Sequence, residues 1–155
     1  MTSHPPQTMI WRTQPTLDAL NRLGQNTALS QLGIEISEIG PDYLAGTMPV
    51  DARTRQALGL LHGGASCLLA ESLGSIAATL CIDFPHQQAV GLEINASHLQ
   101  AVREGVVTGV ARPLRIGRSA HVWEIRISDE QGALVCVARL TLAIRAARPT
   151  PRSLS

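Results

Sequence analysis

The run from Leu61 to Cys81, LHGGASCLLAESLGSIAATLC, constrains the fold more than any other stretch of the chain. It is too long for a strand and rich in Ala and Leu, so it reads as a helix of about five turns beginning at Gly63 or Gly64. Leu68, Leu69, Leu73, Ile76, Ala77 and Leu80 put apolar groups on every side. Such a helix is wrapped by other structure rather than laid against one face. Its only carboxylate, Glu71, falls at the centre. An ionised carboxylate in apolar surroundings is costly unless a reaction uses it or a cation pairs with it.

The flanking segments supply the wrapping. Upstream, PTLDALNRLG predicts a short helix with Thr16 as N-cap and Gly24 just past its end, and NTALSQLG adds another turn or two. From Gly33 the period changes to two. GIEISEIG and DYLAGTMPV alternate as strands, joined at Gly40-Pro41-Asp42. Downstream lie four more strand-like stretches, AVGLEINASHL, GVVTGVARPLRIG, AHVWEIRISDE and GALVCVARLTLAIR. In the third, Trp123, Ile125 and Ile127 share one face and Glu124 and Arg126 the other, as in a half-buried strand. Asp129 to Gly132 makes a hairpin turn. Short connections favour antiparallel pairing, so the chain is expected to be α+β, one curved antiparallel sheet around the central helix. A single sheet leaves part of that helix bare, which calls for a second subunit. The 155 residues suit one domain, with a core over about 10–145 and loose tails.

Composition narrows the chemistry. Net charge is +1, which favours neither nucleic acid nor an anionic membrane as partner. All 13 basic residues are Arg, so Schiff-base lysine chemistry and a P-loop lysine are excluded. Tyr43 and Phe84 are single examples of their kind, leaving little for stacking on bases. Cys67, Cys81 and Cys136 form no CxxC pair, so they are expected to be reduced thiols, without metal. The N-terminal residues show no secretory pattern and no run is expected to span a bilayer, so the cytoplasm is the expected location.

Two features of the central run carry chemistry. A helix starting at Gly63 presents N–H groups without intrahelical partners at the positive end of its dipole. Glycine there lets a carbonyl oxygen approach closely, as in an oxyanion hole. Glu71 and Ser75, four apart, share a face, so the carboxylate can act as base or nucleophile with the hydroxyl positioning it. The alternative for Glu71 is a side chain whose face reaches solvent or an Arg of a neighbouring strand. Gly63 and Glu71 lie about 12 Å apart along one helix, too far to serve one carbonyl carbon. Two such helices antiparallel across a two-fold axis can bring them together, so a catalytic pair requires at least a dimer. Cys67 reads as core, Ser66 lies outside a nucleophile elbow, and Arg103, Arg112, Arg115 and Arg118 form a basic cluster able to hold phosphates.

The segments MPVDARTRQ, GLLHGGASCLLAES, VGLEINASH and REGVVTGVARPLRIGR resemble the hotdog-fold acyl-CoA thioesterases over about Ile10 to Ile144. The similarity is strongest to the group of 1,4-dihydroxy-2-naphthoyl-CoA thioesterases and enterobactin proofreading thioesterases. The resemblance implies that Glu71 is the base or nucleophile and that Gly63 is the backbone donor to the thioester oxygen. It implies positioning roles for His62, Gln56 and Ser75. Contacts to coenzyme A are implied at Gly91, at His98, Leu99, Gln100 and Ala101, and at Arg115, Ile116, Gly117, Arg118, Ser119 and Ala120. It also implies a homotetramer, a dimer of dimers, with no cofactor beyond the coenzyme A of the substrate. The chain departs from the family pattern at both ends, in the loop IDFPHQQ after the helix, and at Arg118 to Ala120. The expected activity is hydrolysis of an aromatic or bulky acyl-CoA. A carrier-protein thioester is the rival substrate, and a non-catalytic acyl-CoA-binding domain the rival class.

Overall fold

The computed structural model describes residues 9–147. Two short helices, α1 (Leu17–Leu23) and α2 (Ala28–Leu32), precede strands β1 (Glu35–Ile39) and β2 (Leu44–Pro49). The long helix α3 (Gly63–Leu80) follows, then β3 (Gln87–His98), β4 (Val106–Ile116), β5 (Ala120–Ser128) and β6 (Leu134–Ala146). The expected helix, strand and hairpin order is therefore observed. The expectations for the extreme ends, residues 1–8 and 148–155, lie outside the described residues.

Capping follows the sequence at Thr16 and departs from it at Gly24. The Thr16 hydroxyl accepts from the Ala19 N–H at 3.2 Å, as an N-cap should. Gly24 remains in the right-handed helical region at φ −75°. The left-handed stop falls instead on Gly33, at φ 70°, which closes α2 before the chain enters β1.

All six strands pair antiparallel in the order β1-β2-β4-β5-β6-β3. The sheet curls round α3, whose Leu69, Leu73, Ala70, Ala77 and Ala78 are fully buried. Gly46 of β2 and Gly109 of β4 make room for Leu73: a Cβ at either would lie 2.8 Å from a Leu73 methyl. Against the same helix lie Trp123, Ile125 and Ile127, all with no exposed surface. Trp11 stacks parallel on Trp123 with 6.4 Å between ring centroids, and its indole N–H donates to Gly40 O at 2.7 Å.

The wrap by this chain is incomplete, as expected of a single sheet. Cys67, Leu68, Ser72, Ser75, Ile76 and Thr79 are only half-buried, and Glu71 is exposed. One sheet covers one side of a helix, and this stripe faces away from it. By length and composition alone α3 is also long and apolar enough to cross a membrane, contrary to expectation. Half of it is buried within the fold.

Candidate active site

The start of α3 is built by His62 and two glycines. His62 keeps extended backbone (φ −74°, ψ 129°) and its Nδ1 accepts from the Gly64 N–H at 2.8 Å. The resemblance implies a positioning role for this histidine. The structure shows it holding the helix terminus, with the ring exposed. The Gly63 N–H finds no acceptor among the described residues. It is a helix-terminal donor at the positive end of an 18-residue helix. Above Gly63 lies the His98 ring from the end of β3, so near that a Cβ on Gly63 would stand 2.7 Å from Nε2.

A cleft of about 340 Å³ opens at this terminus. Gln56, Gly63 and Ser66 line one side, His98, Leu99, Gln100 and Ala101 another, with Leu60, Leu61 and Val135 completing it. The Gln56 Oε1 accepts from the Leu58 N–H. Gln100 donates to Asp129 at 3.2 Å. The cleft therefore gathers six residues singled out from the sequence. It adds Ser66, which is 1% exposed. Sequence reasoning set Ser66 aside because its surroundings lack the elbow pattern. Its three-residue spacing from Gly63, which puts both on one side of the first turn, was the available signal.

Glu71 stands apart from that cleft. It has no ion-pair or hydrogen-bond partner among the described residues. Of the two alternatives the ion pair finds no partner among the described residues, whereas in the single chain the side chain does reach solvent. The expected desolvation is also absent in the single chain, because α3 is bare on this side. The carboxylate instead leans over Gly91 of β3, where a Cβ would come within 2.8 Å of Glu71 Oε1. The resemblance implies a coenzyme A contact at Gly91; within this chain its neighbour is the carboxylate. Ser75 lies one turn on, but no hydrogen bond joins it to Glu71. Its carbonyl accepts from the Thr79 hydroxyl at 2.8 Å. Ser75 also edges a second cleft of about 310 Å³, lined by Thr13, Leu20, Leu23, Ile76, Thr79, Leu80 and Phe84.

The thiols are poor nucleophiles. Burial raises the Cys67 pKa, and the nearby Glu71 charge raises it further. Burial pushes Cys81 up to about 12 and Cys136 up to about 11.

The remaining basic residues divide. Arg112 pairs with Asp42 at 2.7 Å and lies 4.4 Å over the Tyr43 ring, so it leaves the cluster. Arg115 and Arg118 have no carboxylate partner among the described residues. They flank the β4–β5 turn, where the Gly117 N–H donates to Ala120 O at 3.0 Å. Ile116, Gly117 and Arg118 border a third cavity with the buried His121, whose pKa burial lowers.

Within one protomer these groups do not converge. His98 pairs with Cys136 of β6, whereas Ala120 pairs with Ala143 and Gly91 with Leu142. Seven residues of strand separate the two positions on β6, about 23 Å. One set is Gln56, His62, Gly63 and His98–Ala101; the other is Glu71, Ser75, Gly91 and Arg115–Ala120.

Known proteins are similar to this chain in sequence and in fold. The profile of the Thioesterase superfamily matches residues 58–136. The chain is 53% identical over 136 residues to the 1,4-dihydroxy-2-naphthoyl-CoA hydrolase of Escherichia coli, covering 88% of this chain and 99% of that protein. It is 52% identical to the proofreading thioesterase EntH of Cronobacter turicensis, covering 88% and 98%. A crystal structure of a thioesterase from Haemophilus influenzae superposes with a TM-score of 0.88 at 48% identity, covering 93% of this chain and 100% of that one. A six-stranded antiparallel sheet curled round one long helix, joined to identity at this level, places the chain in the Thioesterase superfamily, with the hotdog fold.

Proposed function

We propose that this protein hydrolyses the thioester of an aromatic or otherwise bulky acyl-CoA to the free acid and coenzyme A. The site is composed by two protomers. One observation carries the reading: a carboxylate without a partner and a helix-terminal N–H without an acceptor among the described residues lie on one helix, too far apart to act together in one chain. Antiparallel pairing of two α3 helices brings the Gly63 N–H of one protomer to Glu71 of the other. β3 supports such pairing, since it is a 12-residue strand at the sheet edge with one side unpaired. The expected tetramer would repeat this dimer.

In this site the Gly63 N–H donates to the thioester oxygen as negative charge develops there. Gln56 and His98 border the same oxygen, and His62 fixes the helix terminus that carries the donor. Glu71 either removes a proton from the attacking water or attacks the carbonyl carbon itself to give an anhydride that water opens. In both routes a C–O bond forms, the C–S bond breaks, and the coenzyme A thiolate leaves and takes up a proton. Arg115 and Arg118, cationic and uncommitted, suit the phosphates of coenzyme A. The reaction asks for no metal or redox cofactor, and the cytoplasm, where acyl-CoA is made and used, is the matching location.

Glu71→Gln and Glu71→Ala are expected to fold normally and lose about 10²-fold or more in kcat. Turnover like the unmodified protein in either variant would falsify the assignment. Similarity to EntH favours a second substrate form, an acyl group on the phosphopantetheine arm of a carrier protein. Kinetics on matched CoA and carrier-protein thioesters decide between them by kcat/KM. A pure binding domain predicts stoichiometric acyl-CoA binding with no release of free thiol.

A further inference from the structure

One buried side chain is at odds with its place. The inward positions of β5 run His121, Trp123, Ile125, Ile127, and all four are buried, His121 at 1% exposure. Alternation calls for an apolar residue at the first of them, as at the other three. An imidazole there gives up its water, and its Nδ1 has no hydrogen-bond partner among the described residues. Burying a polar atom unpaired works against stability, and leucine would fill the same slot without that cost. Packing therefore gives no reason for a histidine at this position.

What the ring touches does give one. His121 pairs through its backbone with Ile116 of β4 and Leu142 of β6, at the foot of the β4–β5 turn. Its side chain, with Ile116, Gly117 and Arg118, borders the third cavity, of about 220 Å³, whose other walls include Arg12, Cys81 and Ile82. The turn thus overhangs a cavity. It is tied to β6 where Ser119 O accepts from the Ile144 N–H at 2.9 Å. The ring's polar contact is with the Gly117 backbone. Nδ1 takes no part, so Nε2–H is the group turned to the Gly117 carbonyl. Arg115 folds back over the same glycine: a Cβ on Gly117 would lie 3.3 Å from Arg115 Nε. Holding Gly117 therefore holds both Arg115 and Arg118. We infer, on the thioesterase reading above, that His121 is a positioning residue: its ring fixes the β4–β5 turn so that Arg115 and Arg118 grip the phosphates at the nucleotide end of coenzyme A. This deepens that reading by one residue. His121 lines neither the cleft at Gly63 nor the one at Ser75, so it acts through the turn and only on substrates long enough to reach it. A polar anchor that costs some stability is what a binding turn over a cavity requires.

The test sets benzoyl-CoA beside S-benzoyl-pantetheine, which carries the same thioester without the nucleotide, in the full-length protein. In His121→Leu, KM for benzoyl-CoA is expected to rise about tenfold with kcat unchanged, as when one charge-assisted contact is lost equally from ground and transition states. Its kcat/KM on the pantetheine thioester should match that of the unmodified protein. His121→Gln, whose amide N–H reaches where Nε2–H does, should restore KM for benzoyl-CoA. In a thermal melt His121→Leu should be no less stable than the unmodified protein, because the slot is apolar. An unmoved KM, an equal loss on both thioesters, a glutamine variant as weak as the leucine one, or a clear drop in Tm for His121→Leu overturns the inference and leaves the hydrolase reading intact. Failure of the folded, unmodified protein to cleave either thioester would remove the hydrolase reading and this inference with it.

Discussion

Gly91→Ala separates catalysis from stability more sharply than any other single substitution in this protein. Gly91 lies within β3, exposed, with Glu71 Oε1 above it. A methyl group there would sit 2.8 Å from that oxygen, whereas ordinary contact begins near 3.4 Å. The carboxylate must therefore retreat by about 0.6 Å, which it can do because it is exposed and unpaired. Displacing a reacting group by 1 Å can cost about 10²-fold, so a shift of this size should cost kcat on the order of tenfold. The fold responds with the opposite sign. Glycine inside a strand is less favourable than alanine by roughly 0.5–1 kcal/mol, so the variant should melt slightly higher. Release of coenzyme A thiol under saturating acyl-CoA, measured beside a thermal melt, reads both effects. A variant with raised Tm and undiminished kcat would show that the contact between Glu71 and Gly91 plays no part in positioning the carboxylate.

Two further outcomes test the fold. Leu73→Ala should destabilise the protein by about 2–5 kcal/mol, toward the upper end, because its methyls rest on Gly46 and Gly109, which have no side chains to relax into the cavity. A urea midpoint lowered at constant m would confirm it. The thiols give a pH dependence: Cys81 and Cys136 lose protons in the unfolded chain near their ordinary value of 9.0 but hold them to about 12 and about 11 when folded. Between those values the native state binds more protons than the unfolded state, so stability should fall as pH rises above about 9. Replacing both with Ala should flatten that decline in denaturant titrations at pH 8 and pH 10.

What the sequence determined by itself was local. The length of α3, its start at Gly63 or Gly64, the Thr16 cap, the Gly40–Asp42 turn and the alternation of Trp123, Ile125 and Ile127 all follow from spacings within a few residues. Near neighbours decide such features, so a single sequence carries them. The resemblance, which covers nearly the whole chain, then made the fold and the candidate residues legible together.

Only the tertiary structure decided what depends on distant partners. It paired β3 with β6 and left β3 at the sheet edge, which put Gly91 under Glu71 and His98 over Gly63. It left Gly24 right-handed at the end of α1 and made Gly33, at the end of α2, left-handed where the chain turns into β1. It decided which stripe of α3 stays bare, and put Glu71 on it. It also set Leu23 and Phe84, 61 positions apart in sequence, at the rim of one cleft. Burial and convergence are properties of the packed chain, and no spacing along the sequence encodes them.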